Sequence, residues 1–172
     1  KIFYQTGEND FPILNGQSDK LPHSQVNKWG VLQKNGFKIK ENQQLDLNLW
    51  HQTIDRNLPP NLVQQLSEAR QEDEAFRGSL NWKIIQSNAI LQIRSGLFYE
   101  RLFYQDPVDL IDSRSYTWTF RNEVEWTKNF SLAHAINIGG NYAHLTAKSI
   151  GNYEGIPQQN RTAIFAMYQW KH

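Results

Sequence analysis

From Ser115 to Trp126 the chain alternates. Tyr116, Trp118, Phe120, Val124 and Trp126 take even positions; Ser115, Thr117, Thr119, Arg121, Glu123 and Glu125 take odd ones. A period of two describes a β-strand with one apolar and one polar face. Trp82, Trp126 and Trp170 each close a segment of this kind, 44 residues apart (126 − 82 and 170 − 126). An apolar face ended by tryptophan at a fixed height predicts a sheet facing lipid, with the indoles at the membrane boundary.

Composition narrows the choice without opposing this reading. Hydrophobic residues make up 39% of 172, and mean hydropathy is −0.67. No apolar run approaches the roughly 18 residues of a transmembrane helix. A β-barrel needs none, because every second residue can be polar. A net charge of +1 gives no case for nucleic acid or for an acidic partner. Zero cysteines exclude disulfides, thiolate metal sites and a cysteine nucleophile, and suit an oxidising periplasm. The start, Lys1-Ile2-Phe3-Tyr4, is no signal peptide and reads as a strand. The end, Tyr168-Gln169-Trp170-Lys171-His172, reads as another, so the expectation is a piece of a larger protein.

About eight strands are expected. They cover Lys1 to Thr6, Gln25 to Lys40, Gln44 to Arg56, Asp73 to Ile85, Ala89 to Tyr104 (the longest), the segment around Trp118, Ser131 to Lys148, and Asn160 to the end. Apolar faces carry Trp29, Val31, Phe37 and Ile39; Leu45, Leu47 and Leu49; Phe76, Leu80, Trp82 and Ile84; Leu91, Ile93, Leu97, Tyr99 and Phe103; Leu132, Ile136, Ile138 and Tyr142. Tight turns are expected at 40–43, 86–88 and 127–130. Long connections are expected at 57–72, 105–113 and 149–159, the first with Pro59, Pro60 and a short helix from Asn61 to Arg70. Strands of about 13–16 residues exceed the usual five or six. Tilted near 45°, they would cross roughly 25 Å of hydrocarbon.

Short turns at one rim and long loops at the other predict an outer-membrane type of barrel. Trp82, Trp126 and Trp170 would mark its periplasmic boundary. Phe76, Tyr99, Phe103, Tyr116 and Tyr142 would mark the outer one. Arg77, Asn81, Arg94, Arg121, Glu123, Glu125, Asn137 and Asn141 would face a wetted lumen, with the three arginines balancing the two glutamates. A soluble, aromatic-rich β-sandwich, such as a carbohydrate-binding module, alternates in the same way and stays open as an alternative. So does a porin-like passive channel.

Two stretches carry a family resemblance. Asn48-Leu49-Trp50-His51-Gln52-Thr53-Ile54-Asp55-Arg56-Asn57-Leu58-Pro59-Pro60 has a tryptophan-bearing strand ending in an Arg-x-x-Pro step. Ala69-Arg70-Gln71-Glu72-Asp73-Glu74-Ala75-Phe76-Arg77 has a Gln-Glu-Asp…Arg element opening the next strand. With Asn9-Asp10-Phe11-Pro12, these resemble the barrel of TonB-dependent outer-membrane receptors of Bacteroidetes-type bacteria. The vitamin B12 receptors are the nearest branch, and siderophore receptors look similar. The resemblance implies a bacterial outer-membrane location and a barrel of roughly 22 strands. It also implies an N-terminal plug domain, a TonB box and uptake driven through TonB. This chain carries neither plug nor TonB box and supplies about a third of the strands, so residues 1–172 read as a fragment of the barrel domain. The expected partners are outer-membrane lipid, the plug of the same protein and, through it, TonB. Cobalamin or an iron chelate is the expected cargo, with no resident cofactor. No cargo ligand transfers by motif, which leaves the three long connections as candidates. Asp106, Asp109 and Asp112 are too loosely spaced to match the calcium cluster of a B12 receptor.

Other chemistry finds little support. His134 and His144 are ten apart on one strand, at opposite ends, and cannot share a metal. His51 is placed on the outward face. No metalloprotease helix, phosphate loop or nucleophile elbow occurs, so no enzyme activity is expected. Asn129-Phe130-Ser131 and Asn160-Arg161-Thr162 match glycosylation sequons by chance.

Overall fold

The computed structural model describes residues 1–8, 22–60, 67–151 and 155–170. They form eight strands: β1 (Ile2–Glu8), β2 (Gln25–Lys40), β3 (Gln43–Asn57), β4 (Arg70–Gln86), β5 (Ala89–Asp106), β6 (Ile111–Asn129), β7 (His134–Ile150) and β8 (Gln158–Trp170). Each pairs antiparallel with its neighbour in sequence, giving one sheet in the order β1 to β8. The protein is all-β, and the sheet is not closed: β1 and β8 are its two edges.

Among the described residues no second layer covers either face. Among the described residues the only buried apolar side chains are Ala69 and Ala89, and no large side chain is fully buried. Leu97, Trp118 and Ile138 are 40%, 46% and 44% exposed, so they do not pack into a closed interior.

Register fixes how the strands slide past one another. Trp82 pairs with Ile93, and Ile93 with Val124, so Trp126 lies two residues further toward the turn side of the sheet than Trp82 does. Trp126 pairs with Ile138, and Ile138 with Ala166, so Trp170 lies four residues further again. Six residues over four strands is a stagger of about 1.5 residues, or roughly 5 Å, per strand. Strands are about 4.8 Å apart, so the line through the three indoles makes about 45° with the cross-strand direction. The turns descend the same way, from the Lys40–Gln43 pair level with Ile84 to the Gln86–Ala89 pair one step lower.

Several boundaries differ from expectation. The stretch 105–113 is not a long loop. Ile111, Asp112 and Ser113 pair with Asp106, Gln105 and Tyr104, which shortens the connection to 107–110. Asp106, only 4% exposed, stabilises it by accepting from the Val108 and Asp109 amides at 3.1 and 3.4 Å. This side-chain-to-backbone turn takes the place of a long excursion. β6, at 19 residues, is therefore longer than β5. Its turn starts after Asn129 rather than at Thr127, because Asn129 still pairs with Ala135. Leu132 sits fully exposed in that turn and not on a strand face. Arg70 opens β4 instead of closing a helix, and 67–69 are not helical. Residues 61–66, which would carry that helix, lie outside the described residues, as does the Asn9–Pro12 stretch.

Candidate functional surfaces

The paired registers carry the alternation of each strand across the whole sheet. One face holds rows of apolar residues: Phe37, Leu45, Trp82, Ile93 and Val124 in one, Leu49, Leu97 and Phe120 in another. A third row runs His51, Phe76, Tyr99 and Trp118. The band is continuous, but it is not free of polar groups. Ser95 and Asn122 face each other mid-band, and the serine hydroxyl donates to Asn122 Oδ1 at 2.7 Å. His51 lies 3.2 Å from Glu74 Oε1, with its ring 5.1 Å from that of Trp29. The members of these two pairs satisfy each other on this face, whereas Thr53 Oγ1 and Trp82 Nε1 are buried there without a hydrogen-bond partner.

The boundary aromatics fall on two levels once the frame is tilted to make the tryptophans level. Phe103 and Tyr116 lie two residues apart on adjacent strands, matching the stagger. Phe76, Tyr99 and Tyr142 form a second level nearer the turns. On β6, Trp126 and Tyr116 are ten residues apart (126 − 116). That is about 33 Å along the strand and roughly 23 Å in height at 45°. The three tryptophans are not equivalent. Trp126 and Trp170 are 36% and 65% exposed, whereas the Trp82 indole nitrogen is covered and has no hydrogen-bond partner.

The opposite face carries a polar network at its turn-side end. Arg94 hydrogen-bonds Glu123, reaches Glu125 Oε2 at 3.1 Å and donates to Gln92 Oε1 at 2.7 Å. Gln92 donates to Asn81 at 2.8 Å, and Asn137 donates to Glu125 at 2.6 Å. Arg94, Glu123, Glu125, Asn81 and Asn137 thus form one ladder. Arg77 does not join it. It pairs with Glu100 at 3.1 Å and stacks on Trp50, with its guanidinium 4.6 Å from the ring centroid. No ion pair to Arg121 occurs among the described residues; it lines a groove of about 270 Å³ with Arg77, Phe98, Glu100, Thr117 and Thr119. Asn141 faces Glu123 across β6 and β7. One arginine, not three, balances the glutamates.

Pattern reading missed residues on both faces. Trp50, Phe98 and Leu102 sit among the polar face, where their parity places them. Glu72, Glu74 and Arg101 sit on the apolar face beyond Phe76 and Tyr99, with Arg101 Nε 3.1 Å from Glu74 Oε2 in an ion pair too bent to count as a hydrogen bond. The even numbering of Glu72 and Glu74 on β4 was the available signal.

The candidate connections are only partly described. In 57–72, Leu58 and Ala69 are joined at 2.8 Å and Ser67 Oγ donates to Leu58 O at 2.7 Å. In 149–159, residues 152–154 lie outside the described set. Among the described residues no group of three His, Asp or Glu could hold a metal ion. His134 opens β7 opposite Trp170, and His144 lies ten residues on, within the strand opposite Asn160 rather than at its far end. Compared with known family models and with curated proteins, the chain matches none.

Proposed function

We propose that this chain is an arc of a transmembrane β-barrel, of roughly 22 strands, belonging to a TonB-dependent outer-membrane receptor. The observation that carries the reading is the exposed apolar band on one face of a single-layered sheet. Such a band is stable only against an apolar medium, since leaving a large side chain in water forgoes about 1.5–3 kcal/mol each. Lipid is that medium here. The polar ladder of Arg94, Glu123 and Glu125 then lines a wetted interior. The stagger of about 1.5 residues per strand supports closure, because barrels tilt their strands by 35–45°.

The active-transport assignment rests on the sequence resemblance. The receptor imports a scarce chelate, cobalamin or an iron siderophore, with TonB supplying energy through a plug domain. The groove lined by Arg77, Glu100, Arg121, Thr117, Thr119 and Phe98 supports the reading, as a polar recess on the face that would line the interior. Uptake of labelled cobalamin and ferric chelate by cells with and without the gene, and with and without TonB, tests this. Saturable uptake of one cargo, lost on deleting either, is expected. Non-saturable flux that survives loss of TonB contradicts it and favours a passive channel.

A further inference from the structure

We propose a binding site for a phosphate-bearing anionic lipid on the apolar face, centred on Tyr116; it rests on the lipid-facing reading above. Register builds the site as a grid. Tyr116 pairs with Arg101 on one side and Lys148 on the other. One row further from the turns, Arg114 pairs with Phe103 and with Ile150. Arg114 and Lys148 are diagonal neighbours, about 7–8 Å apart and somewhat closer at their Cβ atoms. Three cations therefore surround one phenol at the height where the apolar band ends.

The charges are segregated. Three carboxylates of this rim, Asp55, Glu72 and Glu74, lie on β3 and β4 and engage Arg70 and Arg101. Among the described residues the one ion pair of Arg114 is with Asp112, at 3.6 Å with both side chains half-exposed. No ion pair to Lys148 occurs among the described residues. Arg114 is held in place instead by Phe103, its guanidinium 5.0 Å from the ring centroid. A groove of about 220 Å³ opens between Glu72, Arg101, Phe103, Arg114 and Tyr116, with the carboxylate on its Arg101 side. A second, of about 510 Å³, lies on the other side of Tyr116, lined by Tyr99, Trp118, Ile150 and Ile156 with Lys148 at its edge. Tyr99 and Trp118 meet there with ring centroids 4.5 Å apart. Glu72 and Glu74 offset Arg101, so Arg114 and Lys148 carry the excess positive charge, and their junction with the aromatic groove fits an amphiphile. The phosphate sits between Arg114 and Lys148, where the guanidinium gives paired donors, and an acyl chain runs down over Trp118 toward the band.

The test uses the complete protein containing this chain, in vesicles of phosphatidylcholine doped with brominated phosphatidylglycerol or brominated phosphatidylcholine of the same acyl chains. Quenching of Trp118 is taken as the difference from Trp118→Phe. A preference of about fivefold or more for the anionic lipid is expected, since each Lys or Arg contact with such lipid is worth about that factor. R114Q/K148Q should abolish the preference and R114K/K148R should keep it, which separates charge from misfolding. Equal quenching by the two lipids, or a preference that survives R114Q/K148Q, overturns the site while leaving the lipid-facing reading intact. Loss of the preference to excess inorganic phosphate overturns the lipid as occupant and leaves a simple anion site. No quenching of Trp118 by either lipid overturns the lipid-facing reading itself.

Discussion

A single residue feels which face it stands on and how high. Phe120 lies between Trp126 and Tyr116 on β6, near the middle of the apolar band, while Val124 is one step from the tryptophan end. Phe120→Arg should therefore cost about 2–4 kcal/mol of membrane folding stability, and Val124→Arg less, because the penalty falls toward the boundary. Thr119→Arg, facing the other way, should cost well under 1 kcal/mol, as ordinary surface changes do. Urea unfolding in lipid vesicles measures all three. Equal costs at 119 and 120 would contradict the assigned faces. The Arg94–Glu123 pair is a different case. Both side chains are more than a third exposed, at 42% and 38%, so solvent screens them. A double-mutant cycle of Arg94→Gln and Glu123→Gln should return a coupling of about 0.2–1 kcal/mol. A coupling of several kcal/mol would mean the ladder is shielded from water.

At the scale of a strand, register decides what side chains can occupy. The Phe3 ring lies over Gly30 on β2, and the Phe165 ring over Gly139 on β7, so both edge strands lay an aromatic across a neighbouring glycine. A Cβ at Gly139 would overlap the Phe165 ring and approach Val124 O to 2.8 Å. Gly139→Val should cost about 1–3 kcal/mol, as overpacking does. Phe165→Ala should recover part of that cost. Fully additive losses in the double variant, read from unfolding midpoints, would show that the two positions do not meet. The strands from β2 to β8 were legible in the sequence because each keeps one parity over most of its 13 to 19 residues. Gln25–Lys40 is recovered to the residue. The ends were not, for a definite reason. Gln105, Asp112 and Ser113 are polar and flank Pro107, which reads as loop. Antiparallel pairing with Tyr104–Asp106 and the Asp106 turn make them strand. Backbone pairing at a rim needs no apolar side chain, so a hydrophobic pattern cannot report it.

The whole sheet has properties that no strand has alone. Trp82, Trp126 and Trp170 repeat every 44 residues, but the repeat does not give their height. Register does, and it makes them level only if the strands tilt by about 45°, within the range of closed barrels. The same tilt separates the aromatic levels of Phe103 and Tyr116 from those of Phe76, Tyr99 and Tyr142. It brings Arg114 and Lys148 to nearly one height, with Arg101 nearer the turns. The polar face was legible as a face, but its partners were not. Parity puts Arg77, Arg94 and Arg121 in one column of similar residues, whereas only strand slippage decides that Arg94 meets Glu123 and Glu125 and that Arg77 meets Glu100.

The central claim is that one face of this sheet meets lipid and the other meets water, and an accessibility scan along β6 tests it most directly. The chain has no cysteine, so single cysteines at 118 to 125 add unique labels here. With spin labels in vesicles, positions 118, 120, 122 and 124 should collide with lipid-soluble oxygen, and 119, 121, 123 and 125 with a water-soluble nickel chelate, alternating at period two. Even positions shielded from both reagents would mean that the apolar face is packed against protein, and the barrel account would fail.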